Sequence, residues 1–114
     1  MKRGTIVLTH FPFTDLTSSK RRPAVVISKV FDRKMDVIVA FISSVVPDVL
    51  SDTDLLFDVS RNDFSDSGLK KKSVFKLDKI ATLNKAIFSG EMGCVGSETL
   101  KLIEEKLKIA LDLN

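Results

Sequence analysis

Three cations and a proline stand together near the start of the chain, in the segment KRRP at 20–23. They end a polar stretch and precede a run of β-branched residues, so the cations are expected where a loop enters a strand. An arginine side chain offers a planar fork of N–H donors that matches a phosphate group, and proline restricts the direction of the chain behind it. The cluster is compatible with phosphate binding, and also with a solvated loop end.

The single histidine and the single cysteine are two further reactive groups. His10 follows an apolar run and is either a general base or an ordinary strand residue with satisfied hydrogen bonds. Cys94 lies among glycines with no histidine near it in sequence, which favours an incidental cysteine over a nucleophile. One residue of each type cannot build a zinc cluster, and the six Asp between 48 and 66 match no calcium-binding loop. We therefore expect neither a metal nor another cofactor.

The composition predicts one globular domain, because 114 residues with 44% hydrophobic side chains can bury a core without a disulfide or a metal. The lone cysteine and an N-terminal apolar run too short for a signal peptide predict a cytoplasmic protein with no membrane span. Charge is uneven: residues 1–34 carry eight Lys/Arg and two Asp, whereas residues 35–68 carry one Arg and seven Asp. This asymmetry indicates either a basic groove that attracts polyanions or merely solvated strand surfaces.

Strand patterns fill the first two-thirds of the chain. Strands are predicted over residues 5–11, 23–30, 37–42, 55–59 and 73–83, with one more short strand in the glycine-rich segment 90–96. Ser97 is a natural N-cap for a C-terminal helix. Five or six short strands and one helix predict a mainly β fold with a C-terminal helix, a small SH3-like barrel.

The predicted helix has two apolar stripes rather than one. The first stripe contains Leu100, Ile103, Leu107, Ala110 and Leu111, and the second contains Leu102, Ile109 and Leu113. A surface helix needs only one apolar face. The second stripe therefore indicates either a partner, most simply another copy of the chain, or a helix that buries both sides within its own chain.

Several segments, in this order and spacing, resemble the MazF/PemK-like toxins. They are KRGTIVL at 2–8, FPFTD at 11–15, KRRPAVVIS at 20–28, VAFISS at 39–44 and GLKKKSV at 68–74. The resemblance covers nearly the whole chain, is weakest over 45–66, and makes residues 1–114 a single toxin domain of the CcdB/PemK-like barrel type. It implies a homodimeric, metal-independent, sequence-specific endoribonuclease that cuts single-stranded RNA and is held inactive by an antitoxin protein. In such enzymes the RNA 2′-hydroxyl attacks the adjacent phosphate and leaves a 2′,3′-cyclic phosphate and a 5′-hydroxyl.

The same resemblance assigns the central site residues. The family's catalytic arginine corresponds to Arg22, and its companion hydroxyl residue corresponds to Ser43. The neighbouring Lys20, Arg21 and Ser44 are expected to bind RNA or assist.

Accessory roles follow for four other residues. Lys76 and Asp78 stand where some members of the family carry an arginine and an aspartate two apart, and lysine lacks the bidentate fork of arginine. These two residues, His10 or water are the candidates for moving protons, because a guanidinium is too weak an acid. Phe13 is the aromatic residue expected near the RNA, since the chain has no Trp or Tyr for stacking.

Two other functions are compatible with the same fold. One is a barrel that poisons a protein target, as gyrase poisons do, but the tail LDLN at 111–114 lacks the tryptophan of that branch. The other is a non-catalytic nucleic-acid-binding module, which would bind RNA in a salt-dependent way without forming a product.

Overall fold

A curled antiparallel sheet and one helix make up the computed structural model, which describes residues 1–10 and 21–114. The strands are β1 (Thr5–Thr9), β2 (Arg22–Val26), β3 (Asp36–Ser43), β4 (Asp54–Phe57), β5 (Ser73–Asn84) and β6 (Gly90–Cys94), followed by helix α1 (Ser97–Ala110). Two short 3-10 helices lie at Ser65–Ser67 and Lys85–Ile87. The strand order is β4-β5-β3-β2-β1-β6. The predicted mainly β fold with a C-terminal helix is confirmed, as a half-barrel.

The sheet curls most strongly along β5, which is its longest strand. Ala40 of β3 pairs with Ile80, but the next residue, Phe41, pairs with Lys76, so residues 77–79 have no partner in β3. An insertion of this kind bends a strand and increases its twist. The first part of β5, residues 73–76, lies between β3 and β4 and pairs with both strands. The second part, residues 80–84, pairs with β3 alone.

The two faces of the sheet carry separate apolar clusters, because side chains alternate along each strand. Ile6 and Val25 belong to the cluster that α1 covers, together with Phe57, Phe75 and Ile103. Their chain neighbours point to the other face, where the buried residues are Val7, Ala24, Val26, Val37 and Val39. The apolar residues of β1 to β3 are thus buried on both sides, which holds the ends of β2 and β3 in place.

Some predicted strand ends were wrong. β2 ends at Val26 instead of residue 30. The N–H of Ile27 still donates to the carbonyl of Ile38 (2.9 Å), but the return bond is replaced by side chains: Arg3 Nε donates to the carbonyl of Ile27 (3.2 Å), and the N–H of Ile38 donates to Ser28 Oγ (2.9 Å). β1 ends at Thr9, so His10 lies just beyond the strand. The remainder of the predicted first strand, residue 11, lies outside the described residues.

The start of α1 also differs from the prediction. Ser97 is the first helical residue, and the N-cap is Gly96, which has no side chain to accept an N–H. The Asp63 carboxylate approaches from a distant loop instead and accepts the N–H of Gly96 at 2.7 Å. A long-range carboxylate therefore takes part of the role expected of a local hydroxyl.

The two apolar stripes of α1 are buried within the chain only in part. Ile103 is fully buried, and Leu100, Leu102 and Leu107 pack against the core, so residues of both stripes are covered within the chain. Three apolar side chains at the end of the chain remain about half exposed: Ile109, Leu111 and Leu113. In the part of the chain that the structure describes, no helix is long and apolar enough to cross a membrane.

Candidate active site

Arg22 and Ser43 lie at the same end of the sheet, on neighbouring strands. Ala24 of β2 pairs with Phe41 of β3. Arg22 begins β2 two residues before Ala24, and Ser43 ends β3 two residues after Phe41. Since side chains two apart share a face, both residues lie on the face of the sheet that carries Ala24 and Phe41. The fold thus brings together two residues that are 21 positions apart.

The Ser43 hydroxyl is oriented by the turn that follows β3. Its Oγ accepts the N–H of Val45 at 3.1 Å and donates to the carbonyl of Val45 at 3.4 Å. The accepted bond has ordinary length, whereas the donated bond is long. The hydroxyl proton is therefore easily redirected to another acceptor while the oxygen stays anchored.

A cationic groove of about 320 Å³ opens beside Arg22. Four cations and two hydroxyl residues contribute to its lining: Arg21, Arg22, Lys70, Lys71, Ser44 and Ser73. Its apolar part comes from residues such as Pro23 and Ile42, and none of the described lining residues is acidic. A groove with this charge attracts anions and suits a phosphodiester chain.

Gly68 places the lysines at the groove. It follows the 3-10 helix at Ser65–Ser67 with φ 78°, a conformation that side chains other than glycine rarely adopt. A methyl group at this position would overlap the carbonyl oxygen of Met92 in β6. The backbone of residues 66–68 therefore lies directly against β6, and the chain continues from this contact into Lys70 and Lys71.

Lys76 is paired with Asp54, not with Asp78. The Lys76 ammonium lies 2.8 Å from Asp54 Oδ1, across the β4–β5 ladder, and the Asp54 side chain is 2% exposed. Burial acts to raise the pKa of Asp54, but the hydrogen bond and positive charge of Lys76, with the N–H of Ser51, outweigh it and lower the pKa below its usual 3.8. Lys76 is thus held on the β4 side of β5, whereas β3 and Ser43 lie on the other side.

This pair predicts a specific loss of stability in acid. A carboxylate whose pKa is lowered by folding stabilises the protein above the unfolded value and ceases to do so as pH falls through the folded value. Replacing Asp54 with Asn should cost about 1–3 kcal/mol at neutral pH, because Lys76 loses its partner. Denaturant unfolding should also show a shallower loss of stability below about pH 4 than in the parent. Asp52→Asn, at an exposed site, is the control; a parent-like acid profile for Asp54→Asn would contradict the assignment.

Of the other two candidates for proton transfer, His10 lies close in the fold to Arg22, whereas Asp78 lies in another part of the sheet. His10 is exposed and directly follows Thr9, the residue of β1 that pairs with Arg22. Asp78 is exposed and lies within the segment of β5 that has no partner in β3. The backbone of His10 therefore adjoins the site at Arg22, whereas Asp78 lies where β5 bends. Phe13 and Lys20 fall outside the described residues.

The family of the chain is given by its match to known proteins. The family model of the PemK-like, MazF-like toxins of type II toxin–antitoxin systems matches residues 2–111. The chain belongs to this family. No curated protein shows significant sequence similarity to it.

Solved structures with the same fold include toxins from two groups of bacteria. This MazF-like chain is similar to an endoribonuclease in complex with its cognate antitoxin from a mycobacterial species, at 20% identity and TM-score 0.74, over 100% of this chain and 97% of that one. The Mycobacterium tuberculosis toxin MazF-mt6 matches at 20% identity and TM-score 0.74, over 98% and 99%. A MazE-MazF structure from Deinococcus radiodurans matches at 15% identity and TM-score 0.73, over 100% and 97%. At these identities the likeness establishes the fold.

Sequence reasoning missed two contributions to the site of this MazF-like chain. Lys70 and Lys71 line the groove, although they were noted only as part of a resembling segment; their run of charge was the available signal. Asp54 is one of the six Asp between 48 and 66 that match no calcium-binding loop, and its pairing with Lys76 has no sequence signal, because the two residues are 22 positions apart. Within residues 1–10 and 21–114, no three His, Cys, Asp or Glu side chains come together as metal ligands.

Proposed function

We propose that this chain is a metal-independent, sequence-specific endoribonuclease toxin that cleaves single-stranded RNA. The observation that carries the proposal is the placement of Arg22 and Ser43 at the ends of neighbouring strands, with Arg22 lining a groove that carries four cations. The reaction is an attack of the RNA 2′-hydroxyl on the adjacent phosphorus. The bond from phosphorus to the 5′-oxygen breaks, leaving a 2′,3′-cyclic phosphate and a 5′-hydroxyl.

Arg22 supplies the charge that the reaction requires. During cyclisation the phosphate oxygens gain negative charge, and a guanidinium already in place stabilises that charge more in the transition state than in the ground state. The planar fork contacts two oxygens at once. Arg21, Lys70 and Lys71 hold the neighbouring phosphates, so that the strand lies along the groove.

Ser43 adds a second donor to the same phosphate. Its proton leaves the long bond to the Val45 carbonyl, while the N–H of Val45 keeps the oxygen in position. Because this exchange gives up only a weak bond, the hydroxyl is available at little cost. Ser44, which lines the groove, contacts the RNA beside the cleaved bond.

Two protons must move in the reaction. One leaves the 2′-hydroxyl, and another reaches the 5′-oxygen as the bond to phosphorus breaks. Arginine is a poor agent for either step because a guanidinium holds its proton too tightly to act as an acid and has no free electron pair to act as a base. His10, whose chain position adjoins Arg22 through Thr9, or a water molecule carries these protons. Lys76 acts as the structural partner of Asp54 in this scheme.

The partners follow from the family and the charge of the groove. An antitoxin that covers this site would present acidic groups in place of RNA phosphates, and a partly disordered chain suits that task. A second copy of the chain is the proposed partner for the exposed apolar side chains at the end of α1, which include Ile109 and Leu113. The protein would act in the cytoplasm, where RNA is available.

The proposal is tested by incubating purified, antitoxin-free protein with a long single-stranded RNA in excess EDTA. We expect discrete fragments that carry 2′,3′-cyclic phosphate and 5′-hydroxyl ends, because the attacking group belongs to the RNA and Arg22 provides the charge. Product ends are identified by mass spectrometry and by labelling with polynucleotide kinase. A parallel reaction with an all-2′-deoxy strand should give no product, since the nucleophile is missing.

Two results would overturn the proposal. Fragments with 5′-phosphate ends, or cleavage that EDTA abolishes, would indicate a different chemistry. A folded protein that binds RNA in a salt-dependent way and never cuts it would indicate a binding module instead.

A further inference from the structure

A second cavity lies at the opposite end of the β2–β3 pair from Arg22, beside the turn that joins these strands. Its volume is about 670 Å³, about twice that of the groove beside Arg22. Residues of the turn, of β3 and of the end of β5 line it, including Lys29, Phe31, Lys34 and Asn84. The catalytic scheme uses none of these residues.

The lining of this pocket includes an aromatic ring that lies close to two cations. The ammonium nitrogens of Lys29 and Lys34 each lie 5.1 Å from the ring centroid of Phe31. They are therefore at most 10.2 Å apart, twice that distance. The ring attracts both ammonium groups and keeps them together at the surface, although like charges repel each other. The Phe31 side chain is itself 43% exposed, and Met35 and Ile38 beside it are exposed to a similar degree.

The turn that carries Phe31 is held in one shape by main-chain contacts. The carbonyl of Phe31 accepts the N–H of Lys34 at 3.2 Å and the ammonium of Lys85 at 2.9 Å. The N–H of Lys85 also donates to the carbonyl of Met35 at 2.7 Å. The turn is thus tied to the end of β5, and a ligand would lose little free energy in ordering it.

We propose that this pocket is a second, non-catalytic subsite for single-stranded RNA, holding one nucleotide far from the cleaved bond. The inference rests on the proposed ribonuclease function, which supplies the ligand class. The base lies against Phe31, Met35 and Ile38, and its phosphates take the two lysines. A base that stacks on the ring displaces an ammonium group from the ring face, and that ammonium group then contacts a phosphate of the same nucleotide.

The polar residues of the pocket favour a nucleotide over an acidic peptide. Asp36 lines the pocket, and its oxygens can accept a hydrogen bond from the amino group of a base, whereas the carboxylate side chain of an acidic peptide has no donor to offer. Asn84 uses its oxygen to accept the N–H of Ala86 at 2.8 Å, which leaves its amide N–H groups free to donate to a base edge. The pocket therefore offers a flat apolar contact, both types of hydrogen-bonding group and two cations.

The separation of the two sites sets the length of RNA that reaches both. The chain is extended from Arg22 to Val26, and the six steps from Arg22 to Ser28 span at most about 20 Å at ~3.3 Å each. A stacked strand covers this distance with about six nucleotides at ~3.4 Å each. Short RNA therefore occupies one site at a time, and only longer RNA gains affinity from the pocket.

The test measures RNA affinity as a function of length, in an Arg22→Ala background in which cleavage is expected to be strongly slowed. Fluorescence anisotropy is recorded with labelled oligocytidylates of about 4 and about 14 nucleotides, which fall on either side of the ~20 Å span. We expect Phe31→Ala to weaken binding of the longer RNA about tenfold, which is within the usual range for base stacking, and to leave the shorter RNA unchanged. The double substitution Lys29→Gln with Lys34→Gln should reduce the slope of log affinity against log salt concentration by about 1.4 for the longer RNA, because two phosphate contacts are lost.

Matched controls come from exposed surface away from both sites. Lys101→Gln with Lys108→Gln removes the same charge from α1, and Val59→Ala, just after β4, removes an exposed apolar side chain. All three changes should leave both affinities near those of the background protein. Circular dichroism of each variant checks that the fold is retained.

Several outcomes would overturn the subsite. They are an unchanged affinity for the longer RNA, an equal loss for both lengths, or Phe31-dependent binding of oligoglutamate in place of RNA, which would indicate a protein-docking site. Failure of the two proposals is distinguishable. Cleavage by the parent with no effect of Phe31→Ala on affinity would refute the subsite alone. A length-dependent loss of affinity in a parent protein that cuts nothing would refute only the nuclease.

Discussion

Replacing Arg22 with Ala is expected to lower the rate of RNA cleavage by about 10²–10³-fold or more, because the phosphate loses its main source of positive charge in the transition state. The fold should survive the change. Arg22 is only half-buried at the first position of β2 and forms no salt bridge with any residue that the structure describes. Single-turnover cleavage of a defined RNA gives the rate, and urea unfolding gives the stability.

Two further substitutions test whether the loss of cleavage rate comes from the guanidinium group of Arg22. Arg22→Lys keeps the charge but removes the planar fork, so we expect a rate between those of the parent and of Arg22→Ala. Arg21→Ala removes an exposed neighbouring cation and should mainly weaken RNA binding and its salt dependence. If the folded Arg22→Ala protein cuts as fast as the parent, the reaction takes place elsewhere.

Replacing Gly93 with Ala is expected to cost about 3 kcal/mol of folding stability, at the upper end of what overpacking costs. A methyl group at Gly93 would overlap the carbonyl oxygen of Asp66 and lie 2.6 Å from the carbonyl carbon of Ser67. These are backbone atoms of a short helix that rests on β6, so they cannot move aside as the end of a side chain can. Cleavage should fall as well, because Gly68 and the groove lysines follow this contact.

The same strand supplies the control. Gly90, the first residue of β6, has open space where a methyl group would be added. Gly90→Ala should therefore change the free energy of unfolding by no more than about 0.5 kcal/mol. Urea midpoints of the three proteins are compared at one pH. Equal midpoints for Gly93→Ala and the parent would show that the contact between the short helix and β6 yields easily.

Much of the fold could be predicted from the sequence because the strands are dense in β-branched residues. The run from Val37 to Ile42 is apolar on both sides, a pattern typical of an interior strand, and β3 lies inside the sheet with an apolar cluster on each face. The end of β2 could not be predicted in this way. It depends on Arg3, whose side chain donates to the carbonyl of Ile27. The two residues are 24 positions apart, so no local sequence pattern indicates the contact.

The candidate site could likewise be predicted only in part. Arg22 and Ser43 were assigned by resemblance, and their placement at neighbouring strand ends is a finding of the structure; their roles remain predictions. The partner of Lys76 could not be predicted. The nearest carboxylate in sequence belongs to Asp78, but the actual partner is Asp54, which lies opposite Lys76 on the neighbouring strand β4. Capping of α1 by Asp63 is another long-range contact, and it replaced the local hydroxyl of Ser97.

The pairing of the strands has a consequence for the order in which the chain folds. Arg22 and Ser43 are the open ends of one hairpin, whose closure needs a loop of only some twenty residues. β6 pairs with β1 across almost the whole chain, from Cys94 back to Thr5. Because closing a long loop costs more conformational entropy, local pairs tend to form before distant ones. On a ribosome, Arg22 and Ser43 would therefore be brought together early, while β1, already paired with β2, still lacks its second neighbour β6.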